Sequence, residues 1–181
     1  LGTSLGYYAS RDEDDSDDLG DFRSIGLGDI GRGVDAQVFG AYSLGTFSLF
    51  GKFRHDITGS HGGWVLTTAL RHKASLSKKM KLKMDYNISW ASEEFMKTYF
   101  SITPTQSATT GISSYDAEGG IKDFGVGAAL KYDWDAHWIL QGKLAFTRLL
   151  GDARDSPLAN SETGRGEENQ FKLGMFIAYR F

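Results

Sequence analysis

The chain holds 181 residues with a formal net charge of -3, 40% apolar residues, 23 glycines and no cysteine. That length suits one domain, residues 1–181, rather than two. Without cysteine there are no disulfide staples and no thiolate metal sites, and so small an acidic charge does not suit nucleic-acid binding.

The 12 phenylalanines and 8 tyrosines, set against only 2 prolines, favour long strands, because proline cannot donate to a sheet ladder. No segment approaches the roughly 20 apolar residues that a membrane-spanning helix needs. In chain order, alternation with a period of two predicts strands near residues 1–10, 33–43, 46–56, 63–77, 80–98, 121–134, 137–149 and 169–181. The cleanest row is Met80, Leu82, Met84, Tyr86, Ile88 and Trp90, with Lys81, Lys83, Asp85, Asn87 and Ser89 on the other side. The last strand repeats it, setting Phe171, Leu173, Met175, Ile177, Tyr179 and Phe181 apart from Lys172, Gly174, Phe176, Ala178 and Arg180. On a helix these rows would scatter apolar residues around the whole circumference. Leu1 opens directly into strand-like sequence, so an exported protein is expected to have lost its leader and further residues besides.

The connections alternate in length. Short turns are expected at Leu44-Gly45, Lys78-Lys79 and Asp135-Ala136, and long polar segments at 11–32, 57–62, 99–120 and 150–168. Short turns on one side and long loops on the other is the outer-membrane barrel pattern, with the short turns periplasmic. A soluble sandwich or lipocalin-like barrel would also alternate, but with its apolar face inward. Parity alone does not say which face is inside. In the membrane arrangement, Trp64, Trp134, Trp138 and Tyr179 are expected near an interface.

The ending "QFKLGMFIAYRF" sets Lys172, Gly174, Ile177, Tyr179 and the terminal Phe181 in the pattern read by the outer-membrane insertion machinery. Together with "TYFSITPTQSA" (98–108), the segment 115–158, "RDEDDSDDL" (11–19) and "GLGDIGRGVDAQVFGAYSLG", it makes the chain resemble the MltA-interacting protein (MipA)/OmpV family of outer-membrane proteins. The resemblance covers essentially the whole chain. It implies an all-β fold, an antiparallel transmembrane β-barrel with eight strands in this chain, the C-terminal part of a larger barrel lacking its first strands. It further implies a non-enzymatic protein of the Gram-negative outer membrane, surrounded by lipid and lipopolysaccharide. The implied role is a scaffold linking periplasmic murein enzymes, a lytic transglycosylase and a murein synthase, to the outer membrane. No residue-level binding motif comes with it.

Candidate chemistry is sparse. Gly26-Leu27-Gly28-Asp29-Ile30-Gly31 satisfies G-x-G-x-x-G, but Val34 to Tyr42 continues as a strand, so no helix N-terminus would receive a phosphate. The acidic residues Asp12, Glu13, Asp14, Asp15, Asp17 and Asp18 lack EF-hand spacing and read as a solvated loop, with a weak cation bridge to lipopolysaccharide as the alternative. Of the histidines His55, His61, His72 and His137, His55 beside Asp56 invites a hydrolase comparison, without a second acidic pair to complete it. His72 falls in an apolar row and is expected at the membrane edge. No catalytic residue, metal ligand or cofactor is expected.

If the apolar rows face lipid, the inward parity carries Lys52, Arg54, Arg71, Lys73, Lys81, Lys83, Lys131, Lys143, Lys172 and Arg180 against Asp35, Asp85 and Asp133. The candidate lumen charges are therefore Lys81, Lys83, Lys131, Lys143 and Arg180. Such an interior would favour small anionic solutes in a porin-like channel, or would belong to a plugged barrel whose charges pair or are hydrated.

Overall fold

A computed structural model describes residues 1–8, 27–159 and 166–181. Eight strands form one antiparallel sheet in chain order: β1 (Gly2–Tyr8), β2 (Gly33–Leu44), β3 (Phe47–Asp56), β4 (Trp64–Ser75), β5 (Met80–Ala91), β6 (Gly120–Asp133), β7 (Trp138–Leu149) and β8 (Asn169–Tyr179). Each pairs with its sequence neighbour, three of the pairs through short hairpin turns. At one end the connections are short. Gly45-Thr46 turns β2 into β3 with Gly45 at φ 61°, a conformation open to glycine. The carboxylate of Asp135 accepts from the N–H groups of His137 (2.8 Å) and Trp138 (2.7 Å), closing the turn into β7.

Among the described residues the sheet is open: β1 pairs only with β2 and β8 only with β7. The eight predicted strands are present, but they do not join into a ring by themselves. The sequence also overextends one of them. Instead of running to residue 98, β5 stops at Ala91, and helix α1 (Glu93–Phe100) follows. Ser92 caps it, accepting from the N–H of Phe95, and Glu93 and Glu94 occupy the first turn, where the helix dipole favours acids. Lys97 then pairs with Glu93 one turn on. Two further short helices, α2 (Pro104–Thr110) and α3 (Gly151–Asp155), lie in segments expected to be irregular. The first is a capping box, with Thr103 bonded to the N–H of Gln106 and the Gln106 side chain bonded back to the N–H of Thr103.

Register fixes which residues share a face, because directly opposed residues point the same way. Met84 lies opposite His72 and Ala128, and Leu144 opposite Ala128 and Leu173. This apolar face is turned to the surroundings: Leu144 is 54% exposed, Leu173 80% and Met175 82%. A soluble barrel would bury that face. The other face carries Lys52, Arg71, Lys83 and Lys143.

The packed core sits at the long-connection end, on this second face. There Val65, Ala91 and Leu149 hold the parity of the charged residues, but they are buried together with Phe95, Met96 and Ala153 of α1 and α3. Tyr99, Phe100 and Tyr115 pack against them. Helices α1 and α3 thus fold inward over the loop end of the polar face. A bulge at Ser89/Trp90 of the β5–β6 pairing leaves Lys122 as the extra residue and lets Ile121 face outward opposite Trp90.

Candidate functional site

Two sets of polar residues occupy the inner face. The first lies under α1 at the loop end. Asp35, only 2% exposed, is bonded by the Arg54 guanidinium at 3.1 Å and faces His61 Nε2 at 3.4 Å. His61 comes from the connection between β3 and β4, which Asp56 organises. The Asp56 carboxylate accepts from the N–H groups of Thr58, Gly59, His61 and Gly62 and from the Thr58 hydroxyl, over 2.7–3.2 Å. Gly63 then approaches α1 so closely that a Cβ there would lie 2.4 Å from the Phe95 nitrogen.

His61 is hydrogen-bonded at one ring nitrogen, while its buried Nε2 faces Asp35 without a hydrogen bond. Its Nδ1 accepts from the N–H of Gly63 at 3.1 Å, so the proton resides on Nε2, facing Asp35. Rings of Tyr8, Phe95 and Tyr99 surround it at 5.1, 5.2 and 5.7 Å. Burial pushes its pKa below the ordinary imidazole value, against the pull of Asp56 and Asp35. A neutral imidazole with its lone pair already bonded has no acceptor to offer a substrate. The cluster is packed beneath α1 at the loop end.

The sequence singled out His55 beside Asp56 instead. Strand neighbours point to opposite faces: His55 lies opposite Trp64 on the apolar side, and Asp56 lies on the polar side. They form no pair. The Asp–His contact is made by Asp35 and His61, which lie in different elements, and no local spacing marks it. His72 stacks on Phe47 at 4.4 Å on the apolar face, near the short-turn end. His137 stacks on Tyr179 at 5.5 Å in a rim cluster that includes Trp138, 5.0 Å from Tyr179. Of the glycine-rich motif, Gly26 lies outside the described residues; a strand, β2, follows the rest. The acidic residues 12–18 also lie outside them. Among the described residues, no group of three or more His, Asp and Glu is arranged to hold a metal ion.

The second set runs across the middle and short-turn end. Lys81 lies opposite Lys131, and Lys131 opposite Gln141. One row further in, Lys73 lies opposite Lys83, Lys83 opposite Ala129, and Ala129 opposite Lys143. Asp133 takes Lys131 at 2.9 Å and Arg180 at 4.0 Å. Asp85 takes Arg71 at 2.8 Å and the Asn87 amide at 3.1 Å. Arg71 also lies over the Phe50 ring at 3.7 Å and Lys143 over the Phe176 ring at 4.7 Å. Carboxylates are thus fewer than cations. A cavity of about 610 Å³ opens between the β3–β4 and β6–β7 parts of this face.

A polar inner face, an exposed apolar outer face and an aromatic rim are what a lipid-embedded sheet requires. Comparison with known proteins decides the family. The family model described as MltA-interacting protein MipA matches residues 1–181. The chain belongs to the MipA family. It is 28% identical over 152 residues to outer membrane protein Omp26La of Vibrio anguillarum, covering 84% of this chain and 54% of that protein. Outer membrane protein OmpV of Vibrio cholerae gives the same identity and coverage. The putative outer membrane protein YiaT of Escherichia coli is 25% identical over 126 residues, 70% of this chain and 48% of its own length. The chain thus spans about half the length of these curated relatives. It is an outer-membrane protein of a Gram-negative bacterium.

Proposed function

We propose that this MipA-family chain forms most of the wall of a non-catalytic, structural outer-membrane barrel whose interior is stoppered at the loop end. The observation that carries this is the burial of Phe95, Met96 and Ala153 against Val65, Ala91 and Leu149, which places α1 and α3 over the inner face. A wide aqueous pore would leave that face hydrated, whereas here it is packed. The burial of His61, with its Nδ1 lone pair already taken by the N–H of Gly63, supports a role without catalysis. The sheet would close with strands from the rest of a longer protein, since among the described residues the outer edges of β1 and β8 are unpaired and the relatives are about twice as long as the part matched. The family description, MltA-interacting protein, supports a scaffold; on the partners the resemblance implies, the barrel would hold a periplasmic lytic transglycosylase, and with it a murein synthase, at its short-turn rim.

The cationic inner face favours a second reading, passage of small anionic solutes. Planar-bilayer recordings of the reconstituted protein separate the two. A stoppered barrel gives no steady conductance. A steady anion-selective current, shifted towards cations by Lys81→Glu with Lys83→Glu, would overturn the stopper. For the scaffold, cross-linking in native envelopes should capture a lytic transglycosylase at the turn around Asp135; absence of any murein enzyme from the cross-links refutes it.

A further inference from the structure

We infer that the middle of the inner face is a binding site for a small solute carrying two separated negative charges, entered from the short-turn end. It rests on the lipid-out, polar-in orientation of the sheet but not on conduction. Lys73 and Lys83 are directly opposed on β4 and β5, and Lys143 stands in the same row two strands beyond Lys83. Like charges directly opposite across strands are destabilising, so an anion held between them would relieve that cost. Protein carboxylates do not relieve it. Among the described residues Lys73, Lys83 and Lys143 make no ion pair, and the one acid in the next row, Asp85, is already held by Arg71 and Asn87.

The space beside these lysines is built for an occupant. Between them Gly127, Ala129 and Ala145 present no side chain beyond a methyl, which leaves the floor of a cavity of about 610 Å³. That volume lies within the range of small-molecule sites, about 300–1,000 Å³. Strands lie about 4.8 Å apart, so the Lys73 and Lys83 backbones are about 5 Å apart and Lys143 is about 10 Å from Lys83. Two ammonium groups from adjacent strands converge on one anionic group, and the third meets a second group across the floor. A dicarboxylate or a molecule with two phosphoryl groups has that charge spacing; a monovalent anion engages one end only. At the loop end α1 and the buried Asp35–His61 cluster lie across the route, which leaves the short-turn side as the entrance.

The test is calorimetric titration of the protein in detergent micelles at low salt with succinate, acetate and inorganic pyrophosphate as probes. Succinate or pyrophosphate should bind at least tenfold more tightly than acetate. Lys73→Gln with Lys83→Gln should weaken binding at least tenfold, and Lys143→Gln should remove the preference for two charges. Lys81→Gln, one row away, should change affinity less than twofold. Relieving the like-charge contact should also raise the ligand-free urea midpoint of the Lys83→Gln protein, so a folding defect is distinguishable from a lost site. Equal binding of acetate and succinate, or affinity unchanged by the Lys73 and Lys83 substitutions, overturns the inference. A conducting barrel in bilayers would refute the stopper while leaving this site intact; a silent barrel that ignores both divalent probes would do the reverse.

Discussion

Leu144 lies midway along β7, faces outward and is 54% exposed, so arginine there must enter the hydrocarbon core. At a bilayer midplane that substitution destabilises a barrel by roughly 2–4 kcal/mol, about 30- to 900-fold in the folding equilibrium. The same change at Trp138 provides the internal comparison. Trp138 is the first residue of β7, six residues earlier on the same face. At about 3.3 Å per residue that is about 20 Å along the strand, and a tilt of about 40° makes it about 15 Å of depth. Fifteen ångströms is half of a hydrocarbon core about 30 Å thick, so Trp138→Arg sits at the headgroup level, where arginine costs about 1 kcal/mol or less. Urea titration of the protein refolded into phosphatidylcholine vesicles measures both. Leu144→Arg should lose at least 1 kcal/mol more than Trp138→Arg, and Leu144→Met should stay within about 1.5 kcal/mol of the parent. Equal losses for the two arginine variants would refute the depth assignment, and a larger loss at Trp138 would invert it.

The pKa of His61 is lowered by burial, so the folded protein binds fewer protons than the unfolded chain as acid is added. Its contribution is present above the ordinary histidine value near 6.5 and is lost as pH falls through the lowered folded value. The urea midpoint should therefore fall on acidification below about pH 6.5 in the parent, and less so in His61→Gln; identical pH profiles would remove His61 as the cause. Gly63→Ala places a methyl against the α1 backbone at Phe95 and should destabilise the protein by about 1–3 kcal/mol, with faster proteolysis between β5 and β6; an unchanged proteolytic pattern would show that the loop yields without moving α1.

Much of the architecture is local. Alternation from Met80 to Ala91 sets a strand and its two faces, because a period of two is a property of the extended backbone itself. The aromatic rim follows from Trp138 and Tyr179 standing at strand ends, and the β2–β3, β4–β5 and β6–β7 pairings from turns too short for any other connection. Where the sequence misled, a local rule had been carried too far. The helix after Ser92 was missed because its apolar residues continue the strand's hydrophobicity, although Ser92-Glu93-Glu94 is a readable cap. His55 and Asp56 looked like partners because they are adjacent, yet adjacency in a strand is what separates them.

The strands, their parity and the family are legible in the order of residues, since each depends on residues near one another or on the whole pattern of the chain. The folded packing, by contrast, covers Val65, Ala91 and Leu149, on the charged face, with Phe95 and Met96. It alone brought His61 to Asp35 and put Lys73, Lys83 and Lys143 in one row above a floor of small residues. These contacts join distant parts of the chain, and they are chosen by register and by where the long connections fold. No spacing of neighbouring residues encodes that choice, because it is made by packing, after the strands already exist.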